Sequence, residues 1–236
     1  MLTLRYKDIP IYLVLIIIVY QIFVFHFEYS FALSLTTTIP VQNDPRYLAF
    51  DQDEKIYVTN HGSDTVSVIN STTDTVIKTI NVGEDPYHLV YHPIQKKIYV
   101  ANLNYSNFEK EFVSVIDTTT DTVVANIQVD NDPQFLLYNP DNGFIYVANQ
   151  GSFGPPKVSV IDPEDDTIET TISLGLDGRG PTHMAYDNNN KKLFVGNLFS
   201  DTVSIIDTTS NSLITTIFGF PDPRFLVFDS LTIKYL

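Results

Sequence analysis

Five dipeptides, Asp44-Pro45, Asp85-Pro86, Asp132-Pro133, Gly180-Pro181 and Asp222-Pro223, recur at similar intervals, and each opens the same succession of short apolar segments. After each comes a strand A, at 47–50, 88–91, 135–138, 183–186 and 225–228. A polar turn such as Asp141-Asn142-Gly143 leads to strand B, first written Ile56-Tyr57-Val58-Thr59-Asn60. It returns as Ile98-Tyr99-Val100-Ala101-Asn102, Ile145-Tyr146-Val147-Ala148-Asn149 and Leu193-Phe194-Val195-Gly196-Asn197. Strand C, rich in β-branched residues, is Val66-Ser67-Val68-Ile69 and its copies at 113–116, 158–161 and 203–206. Asn70, Asp117, Asp162 and Asp207 then open a hairpin turn, where a short side-chain acceptor can bond nearby amides. Strand D closes the unit at 75–80, 122–127, 167–172 and 213–217.

Apolar residues of strands A to C point to both sides, so each sheet needs a cover on both faces, and neighbouring sheets of the same kind supply it. A lone sheet of this composition would leave both faces in water. Sheets stacked radially about an axis satisfy the requirement. The repeated Tyr57-Val58-Thr59-Asn60, with Val66-Ser67-Val68-Ile69 and Thr75-Val76 behind it, resembles the repeat of the YVTN family of β-propellers over residues 36–236. That resemblance implies a seven-bladed propeller and, for many members, a place on the prokaryotic cell surface, notably in surface layers. The expected fold is all-β: a β-propeller of four-stranded antiparallel blades at 44–82, 85–129, 132–174 and 180–217, with a partial fifth at 222–236. Thr38-Ile39-Pro40-Val41 matches the end of strand D and is expected to be an outer strand of that fifth blade. Four complete blades are fewer than the family implies, so a partial or truncated array is expected, with self-association as one route to a closed ring.

Residues 9–27 carry no permanent charge, and Arg5 and Lys7 precede them. By the positive-inside rule this holds the N-terminus in the cytoplasm and sends the rest outward. Residues 1–35 are therefore expected to be a signal peptide or membrane anchor, with Ala32 and Ser34 as a candidate cleavage site, and 36–236 to be extracellular or on the cell surface. A net charge of -14, with 28 acidic against 14 basic residues, argues against nucleic acid as partner. No cysteine is present, so disulfides, thiolate metal sites and Cys nucleophiles are excluded.

Strand parity puts the D-to-A and B-to-C connections on one rim, where the copies differ most, at 104–112, 152–156 and 176–179. Loop variation of this kind marks a recognition face. The same rim carries Asp44, Asp85, Asp132 and Asp222, with His88 and His183 three residues after Asp85 and Gly180. Carboxylates in a ring are a candidate Ca²⁺ site, and facing imidazoles a candidate metal or acid–base pair. Against this stands a structural reading: Asp before Pro is a common turn opening, and the two histidines share their repeat position with Tyr47, Phe135 and Phe225. His61 and His92 are expected to be solvated. Asn70 and Asn104 sit in glycosylation sequons, relevant to an exported chain. No phosphate-binding loop, zinc-protease or nucleophile-elbow motif is present. The expected function is that of a non-enzymatic surface module contacting surface proteins or glycans. The alternatives are a lactonase-like hydrolase, oxidoreductase or metal-binding propeller using His88 and His183, or a fragment without a function of its own.

Overall fold

The computed structural model describes residues 37–103, 111–151, 155–228 and the backbone of 234–235. The N-terminal 1–35 segment, on which the signal or anchor expectation falls, and Asn104 lie outside the described residues. Among the described residues no helix is long and apolar enough to cross a membrane. The chain divides into units 1–38 and 39–236, and every strand belongs to the second.

Four antiparallel sheets follow one another in the chain, each a simple meander. The first contains β1 (Pro45–Phe50), β2 (Lys55–Asn60), β3 (Thr65–Asn70) and β4 (Thr75–Asn81). The second contains β5 (Pro86–His92), β6 (Lys97–Asn102), β7 (Phe112–Asp117) and β8 (Thr122–Gln128). In the third are β9 (Pro133–Tyr138), β10 (Ile145–Asn149), β11 (Lys157–Asp162) and β12 (Thr167–Ser173), and in the fourth β13 (Pro181–Asp187), β14 (Lys192–Asn197), β15 (Thr202–Asp207) and β16 (Ser212–Phe218). A fifth, two-stranded sheet pairs β17 (Leu226–Val227) with β18 (Lys234–Tyr235). Thr38-Ile39-Pro40-Val41, expected as an outer strand, forms none.

Strands β1, β5, β9, β13 and β17 lie side by side in that order, while the outer strands meet far less. The first strand of each sheet is therefore innermost, and the sheets fan out around an axis. The cores lie between sheets, because period-two alternation sends strand-B residues to opposite neighbours. Tyr99 and Ala101 of β6 pack with Leu136, Ile145 and Val147 of the third sheet. Ile98 and Val100 of the same strand turn the other way, onto Tyr57, Val66 and Val68 of the first. Burying one such side chain contributes about 1.5–3 kcal/mol. Leu89, Leu136 and Met184, at one repeat position, are 3%, 0% and 2% exposed, but Leu48 of β1 is 67% exposed because no described sheet precedes it.

Two sets of polar bonds fix the blades. Within a blade, the buried strand-B asparagine reaches the strand-C serine: Asn60 Nδ2 donates to Ser67 Oγ at 3.0 Å, Asn102 to Ser114 at 3.1 Å and Asn149 to Ser159 at 2.9 Å. The small Ser of strand C thus serves as a partner for that amide. Between blades, Lys55 Nζ bonds Asp121 at 2.9 Å and Tyr57 Oη donates to the same carboxylate at 2.5 Å. Lys97 and Tyr99 repeat the arrangement on Asp166, and Tyr146 donates to Asn211 at 2.6 Å. Asp121, Asp166 and Asn211 all have φ between 49° and 59°, in the C-to-D turn, where Asp and Asn tolerate the left-handed region.

Candidate functional site

The innermost strands begin alike. Asp44, Asp85, Asp132, Asp222 and Gly180 precede the prolines with φ of 53°, 51°, 57°, 51° and 74°. The carbonyls of Asp44, Asp85, Asp132 and Gly180 receive the amide that follows a strand-B asparagine: His61 N–H to Asp44 O at 3.0 Å, Leu103 to Asp85 at 3.3 Å, Gln150 to Asp132 at 2.8 Å and Leu198 to Gly180 at 2.8 Å. The four residues that open complete blades thus form one turn in four copies, while Asp222 O accepts Arg224 N–H at 2.8 Å instead. Gly180 cannot be replaced by its aspartate counterpart, because a Cβ there would lie 2.7 Å from the Phe199 ring.

The carboxylates do not converge. Asp44 Oδ2 accepts from Arg46 Nη2 at 2.7 Å, and Asp222 Oδ2 from Arg224 Nε at 2.9 Å. Asp132 is buried, and its N–H donates to Glu111 Oε2. Asp85 and Asp44 approach a common neighbour, His61, whose Nδ1 lies 4.0 and 3.4 Å from them. Among the described residues no group of three or more His, Asp and Glu could hold a metal ion.

His88 and His183 belong to a line of rings, one from each blade. Tyr47 and His88 centroids are 4.7 Å apart, His88 and Phe135 4.0 Å, Phe135 and His183 4.2 Å, and His183 and Phe225 5.5 Å. Each imidazole also joins its blade to the next: Leu136 N–H donates to His88 Nδ1 at 3.2 Å, and Leu226 N–H to His183 Nδ1 at 3.2 Å. Since a backbone amide can only donate, both Nδ1 atoms are unprotonated and the ring proton sits on Nε2. Burial, helped by the proximity of His183, pushes His88 down to about 3, and burial pushes His183 down to about 4. Both rings are neutral at pH 7.

The expectation of solvated histidines is corrected at His92, which is 1% exposed. Its Nε2 donates to Gly143 O of the next blade at 2.9 Å, and its Nδ1 accepts from Gln95 N–H at 3.0 Å. It occupies the repeat position of Asp51, Asn139 and Asp187, whose side chains likewise accept turn amides. His61 is half-buried. Asn70 Oδ1 accepts the amides of Thr72 and Thr73, as the turn reading expects.

On the rim that strand parity selects, a cavity of about 330 Å³ opens at the inner strands. Its wall is made chiefly of the residue that follows four of the five prolines, Tyr87, Gln134, Thr182 and Arg224, and of the ring-line members Tyr47, His183 and Phe225. Gln150 and Leu198 complete it from the position after the strand-B asparagine. Register irregularities interrupt each complete inner strand just after its proline. Bulges of this kind turn a side chain out of the ladder's alternation. Sequence reasoning missed these residues, though their variation at one position of an otherwise regular repeat was a legible signal.

Four-stranded antiparallel meanders fanned about an axis, with a fifth sheet begun, define a β-propeller. Residues 34–153, half of the chain, match the model of the YNCE-like beta-propeller family, and the chain belongs to that family. Residues 105–217 also match the model described as lactonase, 7-bladed beta-propeller. No protein of curated function matches the sequence. Among solved structures, the hydrazine synthase of Kuenenia stuttgartiensis superimposes with a TM-score of 0.63 at 21% identity, over 78% of this chain and 52% of that one. This chain therefore spans about half the length of that protein, and the likeness is one of fold.

Proposed function

We propose that the chain is a non-enzymatic binding module of the cell surface, a YVTN-type propeller carried outward behind residues 1–35 and contacting surface proteins or glycans through the cavity rim. The observation that supports it most is how His88 and His183 are used. Both carry backbone amides on Nδ1 and are clasped between rings of neighbouring blades. A general base near neutral pH needs a pKa close to the working pH, and these rings lie well below it. The other polar and aromatic groups of the cavity are amides, hydroxyls, aromatic faces and the Arg224 guanidinium paired with Asp222, all of which bind without reacting.

A hydrolytic reading draws on the match of residues 105–217 to a lactonase family, which is an argument from fold. Two measurements on the full-length chain separate the readings. Protease added to intact cells is expected to degrade 36–236 while a cytoplasmic marker survives, and hydrolysis of δ-gluconolactone by purified protein is expected at the buffer rate. Protection in intact cells defeats the surface placement; lactone turnover lost in His183→Phe defeats the binding role.

A further inference from the structure

We infer that the cavity at the inner-strand rim is a subsite for a neutral saccharide, held by the side-chain amides of Gln134 and Gln150 and by the ring faces of Tyr47, Tyr87 and Phe225. This rests on the binding role proposed above and names the ligand. Gln134 and Gln150 are half-buried, and among the described residues neither side-chain amide finds a protein partner. Each presents a donor beside an acceptor, the pattern that matches two adjacent hydroxyls, each of which both donates and accepts. Both amides remain open to solvent, so a ligand hydroxyl can take the place of water on each.

The rings supply the second half of the match. A pyranose has polar edges and a face of C–H bonds, and that face seats on an aromatic plane. Phe225, 61% exposed, is such a plane in the lining, and Tyr47 and Tyr87, also in the lining, stand edge to face 5.3 Å apart. Charge argues against an anionic ligand: Arg224 is paired with Asp222 at 2.9 Å. His183 is neutral, so the lining offers no free cation to a carboxylate or phosphate. A volume of about 330 Å³ falls at the small end of the roughly 300–1,000 Å³ typical of ligand pockets and suits one or two sugar rings.

The test uses full-length chain in a detergent without a sugar headgroup, with the methyl glycosides of glucose, galactose, mannose and N-acetylglucosamine as probes. Saturation-transfer NMR is expected to show at least one of them bound. Its affinity is expected to fall at least tenfold in Gln134→Ala and in Gln150→Ala, with melting unchanged. The chain has 14 Tyr and no Trp, so tyrosine emission gives an independent readout that Phe225→Ala should also weaken. Two outcomes overturn the inference: no glycoside gives transfer, or transfer persists undiminished in both glutamine variants. If neutral peptides bind instead and the same variants abolish that binding, the saccharide is refuted while the binding role stands. If neither class binds, both fall.

Discussion

Replacing His88 by Phe separates what the imidazole does for packing from what it does for pH tolerance. Phe135 and Phe225 occupy the same repeat position, so the site accepts a six-membered ring. The variant loses the acceptor for Leu136 N–H, which costs about 1–3 kcal/mol at pH 7. In the wild type, folding lowers the pKa of His88 from 6.5 to about 3. A lowered pKa contributes stability that is fully present above 6.5 and is lost as pH falls toward 3, because the unfolded chain takes up a proton that the folded chain refuses. The loss is about 1.4 kcal/mol per pH unit, hence about 2–3 kcal/mol by pH 4.5. Wild type and His88→Phe should therefore exchange order near about pH 5, the variant being weaker above and stronger below. Urea denaturation of the full-length chain followed by circular dichroism, at intervals from pH 7 to pH 4, reads the difference directly. Every other titrating group is common to both proteins, so it largely cancels. A difference in stability that stays constant across that range would refute the buried, neutral imidazole.

Glu111 should behave in the opposite sense. Burial raises its pKa to about 7 from 4.5, so the stability tied to it is present below 4.5 and is lost as pH rises through 7. Among the described residues its buried Oε1 has no hydrogen-bond partner. Glu111→Gln is expected to raise the melting temperature at pH 8 and leave it nearly unchanged at pH 4; equal shifts at both would count against an ionisation effect. Gly180→Ala is expected to cost 2 kcal/mol or more, about the sum of a non-glycine residue at φ of +74° and a Cβ only 2.7 Å from Phe199. Chemical denaturation checks it, and a cost below about 0.5 kcal/mol would show that Phe199 yields freely.

The blades were legible because the sequence repeats them with their punctuation intact. Asp-Pro or Gly-Pro marked the start of each complete inner strand, and the strand-B asparagine marked the end of the second. The ring line was legible in part, since aligning the copies sets His88 and His183 beside Tyr47, Phe135 and Phe225. The same alignment places His92 with Asp51, Asn139 and Asp187, and would have identified it as a turn acceptor. The blade-to-blade latch was beyond reach: Tyr57 meets Asp121 64 residues later, and only the fan of sheets brings them together. Nor does alternation predict the cavity, because a bulge moves one residue out of the two-residue period from which facing is deduced.

That failure of alternation explains how a rigid repeat comes to hold a site. The ring position is constrained in shape, since each ring must contact the next, edge to face or tilted, along the inner strands, and in these copies it holds Tyr, His or Phe. The turn position before proline is constrained in backbone, with φ near 50–75°, and admits only Asp or Gly here. Between them lies the residue freed by the bulge, and there the five copies read Arg46, Tyr87, Gln134, Thr182 and Arg224. No two neighbouring blades agree. Substitution at that position changes what the cavity offers a ligand without disturbing the stack beneath it or the turn above it, so specificity and stability are carried by adjacent residues of the same strand.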